Sequence, residues 1–352
     1  MEENIENWRK KIDNIDIKIL QLLENRMEFV EKIGKEKIKK NINIYNPQRE
    51  KEILQNLHKA PKNFLTNQAI DIVFQEIFAI SRNLETPEKI AFLGSIGDHT
   101  HQIARKKFGI ISEYIATNNP ATLTSLIKNK QAKYAIFPLK NTPSGMQKEI
   151  LSLLLKEEIK IIATLSLSPS FVIASKNPAI QIKKIYTQNS DLIHCQNFLE
   201  SKKIKNFTLF TLDSYTDFIE HQEEKDVGIF CSEFFATLYN LPILFKNIEH
   251  INKDTIHFFM ISDCITSPSK KDKTSAFLIP KTHNKIKDLL DLLQDLQNQS
   301  KNLLKIDSAF VDTDDLCGFY LEFEGHRDEE NLQKLFEEKG EILKWLGSYP
   351  YN

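Results

Sequence analysis

Cysteine is scarce in this 352-residue chain, and its four cysteines (Cys195, Cys231, Cys264, Cys317) show neither a paired pattern nor a metal-ligand spacing. That excludes a disulfide-stapled secreted framework and a cysteine zinc site, and favours a reducing cytoplasm. An excess of one charge is also missing: Lys and Arg number 47 against 48 Asp and Glu, a net charge of −1. Nothing in that balance points to nucleic acid or a membrane surface as partner. No apolar run reaches transmembrane length, and the N-terminus lacks a signal-type apolar core. The length predicts two or three domains, each able to bury its own core. Abundant Ile, Lys and Asn read as base-composition bias, with the lysines scattered over solvated helix faces.

What is present first is a heptad stripe. Ile5, Ile12, Ile19, Arg26 and Ile33 recur every seven residues, with Trp8, Ile15, Leu22 and Phe29 in the companion positions. About four repeats predict one long helix, and a seam of that length requires a partner helix. Arg26 sits on the seam, where a guanidinium is costly unless an anion meets it. Alone it reads as a register-setting or snorkelling residue. Lys37, however, follows eleven residues later and points the same way at roughly 16 Å along the axis, which leaves room for one small anion. Arg9 lies roughly 25 Å from Arg26 along the same helix, too far to join them. An antiparallel second copy would bring its own Arg9 into the gap, so a dimer would complete a cation-lined pocket.

Two more helices follow. Asn46 is a plausible N-cap with Pro47 at the first helical position, which places Arg49 and Glu50 in the first turn. A third helix is predicted from about Thr66 to Leu84, with Ile70, Val73, Ile77 and Leu84 as its apolar stripe. Ser81 and Glu85, four apart beside that stripe, are expected to face the same cavity.

Residue types, order and spacing across these helices make residues 1–86 resemble the all-helical class of chorismate mutase. The resemblance implies three helices per chain intertwined in a homodimer that rearranges chorismate to prephenate. It implies that the partner's copy of Arg9, together with Arg26, holds the two substrate carboxylates. Lys37 would reach the ether oxygen and a carboxylate, and Arg49 would support the carboxylate side. Glu50 would accept from the ring hydroxyl, Ser81 and Glu85 would complete the wall, and Asn46 stands where the family often has Asp. A [3,3] rearrangement needs no nucleophile, proton transfer or cofactor. It needs a dianion held compactly and charge stabilised on the breaking C–O oxygen, work suited to Arg forks and a Lys point charge. Glu85 donates to that oxygen only when protonated, so better activity at mildly acidic pH is expected.

The composition turns at Thr86-Pro87-Glu88-Lys89. Strand candidates then follow at 89–93, 134–139, 159–165, 184–187, 207–212 and 227–231. Helices are predicted up to Phe108, at 121–129 and at 192–201. The alternation predicts an α/β layer structure. Phe92-Leu93-Gly94-x-x-Gly97, Pro138-Leu139-Lys140-Asn141-Thr142-x-x-Gly145, Leu238-Tyr239-Asn240-Leu241 and Leu346-Gly347-Ser348-Tyr349-Pro350 make residues 88–264 and the chain end resemble prephenate dehydratase. That implies a two-lobed fold like periplasmic binding proteins, with the site in the cleft. The domain order resembles the bifunctional P-proteins along essentially the whole chain.

Several cleft positions depart from the family. Its Thr-Arg-Phe triplet aligns with Ile256-His257-Phe258, which lacks the hydroxyl and the carboxylate clamp. A one-residue shift restores Thr255 but puts Ile256 in the Arg position. Lys140 replaces the family's Glu, although Asn141 and Thr142 keep the next two characters. Its Gly-Thr-Phe-Ser-His turn becomes Gly97-Asp98-His99-Thr100-His101, and its Ser-His pair becomes Thr187-Gln188. Groups that act as a unit fail together, so impaired dehydration is expected. Thr100, Asn141, Thr142, Gln188 and His257 remain the cleft candidates. Asp98, His99 and His101 lack an evident fourth metal ligand, and no metal is expected.

Residues 272–352 read strand, helix, two strands, helix, strand, the βαββαβ order of a ferredoxin-like fold. They resemble an ACT regulatory domain. The family's phenylalanine-binding turn aligns with Lys285-Ile286-Lys287, and its Glu-Ser-Arg-Pro segment with Asp307-Ser308-Ala309-Phe310. Loss of the glycine turn and the Arg implies weak or absent phenylalanine feedback, Asp307 and Ser308 being the remaining effector candidates. The expectation is a cytoplasmic homodimer with an intact mutase and an impaired dehydratase. A fully bifunctional enzyme and a ligand-sensing cleft with its C-terminal domain are the alternatives.

Overall fold

The computed structural model describes residues 5–40, 47–139, 148–178, 181–201, 207–246, 248, 255–269, 271–281, 285–310 and 317–351. The chain forms two compact units. One holds the residues up to Glu88 and the segment Lys107–Glu113; the other holds Lys89–Lys106 and everything from Tyr114.

The first unit is built on α1 (Ile5–Lys39), α2 (Pro47–Lys59) and α3 (Asn67–Glu85). Thr66 caps α3, its hydroxyl accepting from the Ala69 amide at 3.2 Å, which satisfies one of the donors a helix start leaves open. Both α1 and α2 pack on α3. The heptad seam of α1 stays in water within a single chain: Ile5, Trp8, Ile12, Ile15, Ile19, Leu22, Phe29 and Ile33 are each about half exposed or more. The expected α3 stripe needs correction. Ile70 is buried, but Val73 and Leu84 are exposed, and α3 instead buries Phe78, Ala79, Ser81 and Arg82. The physical reason is a second packing partner that the periodicity did not reveal. Residues 107–113 lie against α3, with the Ile110 amide donating to Glu76 Oε2 at 3.1 Å and Ser112 Oγ accepting from Asn83 at 3.0 Å.

The second unit opens with β1 (Lys89–Leu93), α4 (His99–Phe108), β2 (Glu113–Thr117), α5 (Pro120–Lys128), β3 (Tyr134–Leu139), α6 (Lys148–Lys156), β4 (Lys160–Leu167) and β5 (Phe171–Ala174). It continues with β6 (Lys184–Gln188), α7 (Leu192–Ser201), β7 (Thr208–Leu212), β8 (Val227–Ser232), α8 (Glu233–Leu238), β9 (Ile243–Phe245) and β10 (Ile256–Ser262). Two five-stranded sheets define two lobes, in the orders β2-β1-β3-β10-β4 and β7-β6-β8-β5-β9. Sequence periodicity missed β2, β5, β9 and β10. β5 and β10 are central strands with nearly continuous burial, and β9 has only three residues, so alternation gives no signal for them.

The chain ends with β11 (Asp272–Leu278), α9 (Lys285–Asn298), β12 (Leu303–Phe310), β13 (Cys317–Glu324), α10 (Glu330–Glu338) and β14 (Leu343–Pro350). Their sheet is antiparallel, in the order β12-β13-β11-β14. It shares one core with the first lobe, where Phe277, Tyr320, Leu346 and Tyr349 pack with Phe137, Phe259 and Ile261. Backbone meets backbone there, since a Cβ on Gly347 would fall inside the Ile161 carbonyl. Only glycine permits that approach of β14 to β4.

Candidate functional site

In the first unit, α1 and α3 bring four of the expected mutase residues together. Arg26 Nη1 donates to Ser81 Oγ at 2.5 Å, and Lys37 Nζ donates to Glu85 Oε2 at 3.0 Å. Arg26 and Lys37, roughly 16 Å apart along α1, thus converge on two α3 residues only about 6 Å apart along their own axis. The Lys37–Glu85 pair is largely buried, with side chains 22% and 9% exposed. The Arg26 guanidinium lies 6.0 Å above the Phe78 ring. Burial pulls its pKa down, opposed by the charge of Glu85, yet an Arg stays protonated in any protein setting. Ser81 Oγ in turn donates to the Ile77 carbonyl at 2.6 Å. This arrangement presents two cations and two hydrogen-bonding walls, and suits a small anion with an ether or carbonyl oxygen.

The other expected mutase residues lie elsewhere in the single chain. Arg9 is exposed on α1. Arg49 is at the surface, 3.7 Å from Glu52. Asn46 lies outside the described residues. Glu50 faces Arg82, a residue sequence reasoning missed. Arg82 is 4% exposed and donates to Glu50 Oε1, to Glu88 Oε2 at 3.0 Å and to the Lys107 carbonyl at 3.2 Å, with Phe108 under its guanidinium. An Arg beside Ser81 on the apolar side of α3, with Glu88 just beyond the helix, was the available signal. Lys107 Nζ adds a second cation 3.7 Å from Glu50 Oε2.

In the second unit, the cleft candidates fall on different elements. Thr100 lies in the first turn of α4 and is 4% exposed. Gln188, at the end of β6, is 8% exposed and donates to Asp98 Oδ1 at 3.0 Å, across from one lobe to the other. His257 is exposed on β10, between Leu139 of β3 and Ser166 of β4, with Ser166 Oγ 3.0 Å from its Nδ1. Asn141 and Thr142 lie outside the described residues. So Gln188 meets Asp98 in a buried interlobe contact, two residues before Thr100 in sequence, and His257 has its own partner.

That contact also contains Asp191 and Tyr215, which no sequence signal announced. His99 Nε2 lies 3.5 Å from Asp191 Oδ1, and Tyr215 donates its hydroxyl to Asp191 Oδ2. Burial pushes Asp98 up to about 6, against the pull of the Ser95 amide, the His99 charge and Gln188. Burial alone would lower His99, but Asp191 and Asp98 outweigh it and raise the imidazole. Burial would likewise raise Asp191, but His99 and the Tyr215 hydroxyl hold it down. His101 instead accepts from the Gly97 amide at 3.1 Å and stacks on Phe92. Burial lowers it to about 4, so it is neutral. Among the described residues no group of three or more His, Cys, Asp or Glu has the placement to hold a metal ion.

The effector candidates lie on β12. Asp307 pairs with Lys305 at 3.0 Å, and Ser308 is exposed opposite Phe319 of β13. Lys285, Ile286 and Lys287 form the first turn of α9 rather than a turn between elements.

Comparison with known proteins places these units. Residues 90–265, half of the chain, match the prephenate dehydratase family, and residues 8–86 match chorismate mutase type II. The bifunctional chorismate mutase/prephenate dehydratase of Aquifex aeolicus is 29% identical over 99% of this chain and 98% of its own length. A solved prephenate dehydratase from Arthrobacter aurescens, in complex with L-Phe, superposes with a TM-score of 0.64 at 20% identity, covering 75% of this chain and 90% of that one. A solved quorum quenching acylase superposes equally well, at 0.64 and 18% identity over 75% of this chain and 98% of its own. At such identities the likeness speaks to fold alone. No helix among the described residues is long and apolar enough to cross a membrane.

Proposed function

The chain belongs to the prephenate dehydratase family and carries a type II chorismate mutase domain ahead of that region, and from this premise we propose a P-protein whose working activity is chorismate mutase. It would make prephenate for phenylalanine biosynthesis, with domains at 1–86, 88–264 and 272–352. The observation that carries this reading is the pairing of Arg26 with Ser81 and of Lys37 with Glu85 between two helices. Arg26 would bind one substrate carboxylate in a fork, and Lys37 with Glu85 would meet the breaking ether oxygen.

The pocket is completed by a second copy. The support is the exposed heptad seam of α1, an apolar surface that water penalises and a twin helix would cover. In an intertwined homodimer the partner's copy of Arg9 would enter the gap. Glu50, held by Arg82 in the single chain, would take the ring hydroxyl with Arg49 and Asn46 nearby once the dimer forms.

Dehydration of prephenate to phenylpyruvate is impaired in this reading. Ile256 has no hydroxyl to assist the leaving group, and His257, already bonded to Ser166, is a poor substitute for an Arg clamp. Thr100, Asn141, Thr142 and Gln188 would remain as remnants of that site. The alternative of a fully bifunctional enzyme is favoured by the relatives so named along nearly the whole chain. The C-terminal βαββαβ unit reads as an ACT domain that pairs chains, with weak phenylalanine binding at Asp307 and Ser308. A cytoplasmic location is part of this reading, supported by its likeness to biosynthetic enzymes. The test supplies chorismate and follows prephenate and phenylpyruvate together. Prephenate alone supports the reading, both products support the alternative, and neither product defeats both.

A further inference from the structure

The chain passes between the two lobes twice, from β4 to β5 through residues 168–170 and again from β9 to β10. The point where the first crossing leaves β4 and the point where the chain re-enters β10 lie side by side, since Ser168 Oγ and Thr255 Oγ1 are 3.2 Å apart. Paired crossings of this kind are where two lobes hinge. The lobes also meet through the start of α4, which is set into the second lobe. Gly97 has no room for a side chain there, as a Cβ would come within 2.5 Å of Phe235. Asp98 accepts from Gln188 at 3.0 Å, and His99 faces Asp191 at 3.5 Å, with its ring edge-on to Phe171 and Tyr215. His99, Gln188 and Asp191 are all less than a tenth exposed.

We propose that this contact is a proton-linked clasp: it holds the lobes shut at acidic pH and lets them part as pH rises through neutrality, exposing Thr100 and Gln188. The inference goes beyond the mutase and dehydratase reading and stands on the second unit alone. Each titratable group facing the clasp has a definite part in it. From the first lobe come Asp98 and His99; from the second come Asp191, Tyr215, Tyr239, Cys195 and Cys231. Burial pushes both tyrosines and both thiols up, Cys195 to about 12, so they stay neutral in the working range. Asp191 is held down and stays ionised.

Asp98 and His99 therefore set the pH dependence, and their signs agree. Parting the lobes returns Asp98 from about 6 toward the ordinary 3.8, and His99 from its raised value toward 6.5. The shut form thus binds protons more tightly than the open form. Closure is favoured below those values and weakens as pH rises through them. The Asp98 change alone shifts the closing equilibrium about tenfold between pH 5 and pH 7.

Hydrogen exchange on the full-length chain tests this. Protection factors for peptides covering residues 97–102 and 186–192, corrected for intrinsic exchange, are measured from pH 5 to pH 8 with β13 as reference. They are expected to fall about tenfold or more between pH 5 and 7 while β13 holds steady. Asp98→Asn keeps an acceptor for Gln188 but cannot titrate, so the fall should shrink to the part His99 supplies. Adding His99→Gln should abolish it. Protection factors independent of pH in the unmodified chain, or an unchanged fall in Asp98→Asn, would overturn the proposal. The unmodified series decides even where a variant folds poorly.

Discussion

Lys37 Nζ donates to Glu85 Oε2 at 3.0 Å, joining the last turn of α1 to the end of α3. A carboxylate so paired accepts hydrogen bonds and cannot give one. Glu85→Gln puts an amide there that can donate to the ether oxygen of chorismate, so its kcat/KM is expected to match or exceed that of the parent. Steady-state kinetics at pH 8 check this, and a loss of about tenfold or more counts against the role.

The proposed entry of Arg9 from a second subunit predicts complementation. Arg9→Ala and Arg26→Ala homodimers should each lose about 10²–10³-fold in kcat/KM, the scale for removing one group that meets developing or substrate charge. Co-refolding the two variants in equal amounts gives mixed dimers in which one site regains both arginines. Random pairing then restores about a quarter of the parent activity. Recovery of none would mean that Arg9 acts within its own chain or not at all.

Arg82 should matter for stability before it matters for turnover. Its guanidinium joins Glu50, Glu88 and the Lys107 carbonyl in a site where the Arg82 and Glu88 side chains are 5% and 0% exposed. Arg82→Met leaves buried carboxylates facing one another, a change that destabilises by about 3–5 kcal/mol. Urea unfolding followed by far-ultraviolet circular dichroism reads this directly. A midpoint equal to that of the parent would show the ion network to be dispensable.

Much of the helical unit was legible because its rules are local. A seven-residue period, Thr66 before α3 and Pro47 at the start of α2 mark helices without reference to the rest of the chain. The Arg26–Lys37 spacing and the Ser81–Glu85 spacing likewise fix which side chains share a face. What escaped were contacts between distant segments. Residues 107–113 turned the buried face of α3 toward Phe78 and Arg82, and no periodicity within α3 could announce them. His99 and Asp191 lie 92 residues apart on different lobes, so only the fold brings them together. β5 and β10, buried on both faces, lack the alternation by which strands are read.

The most direct test is to give the purified chain chorismate at neutral pH and follow substrate loss and both products by proton nuclear magnetic resonance. Arg26→Ala, confirmed folded by circular dichroism, serves as the control. The expected result is prompt conversion to prephenate, no phenylpyruvate beyond the slow acid-driven background, and loss of the conversion in Arg26→Ala. Chorismate that disappears no faster than in buffer, or an Arg26→Ala variant with unchanged turnover, would contradict the account.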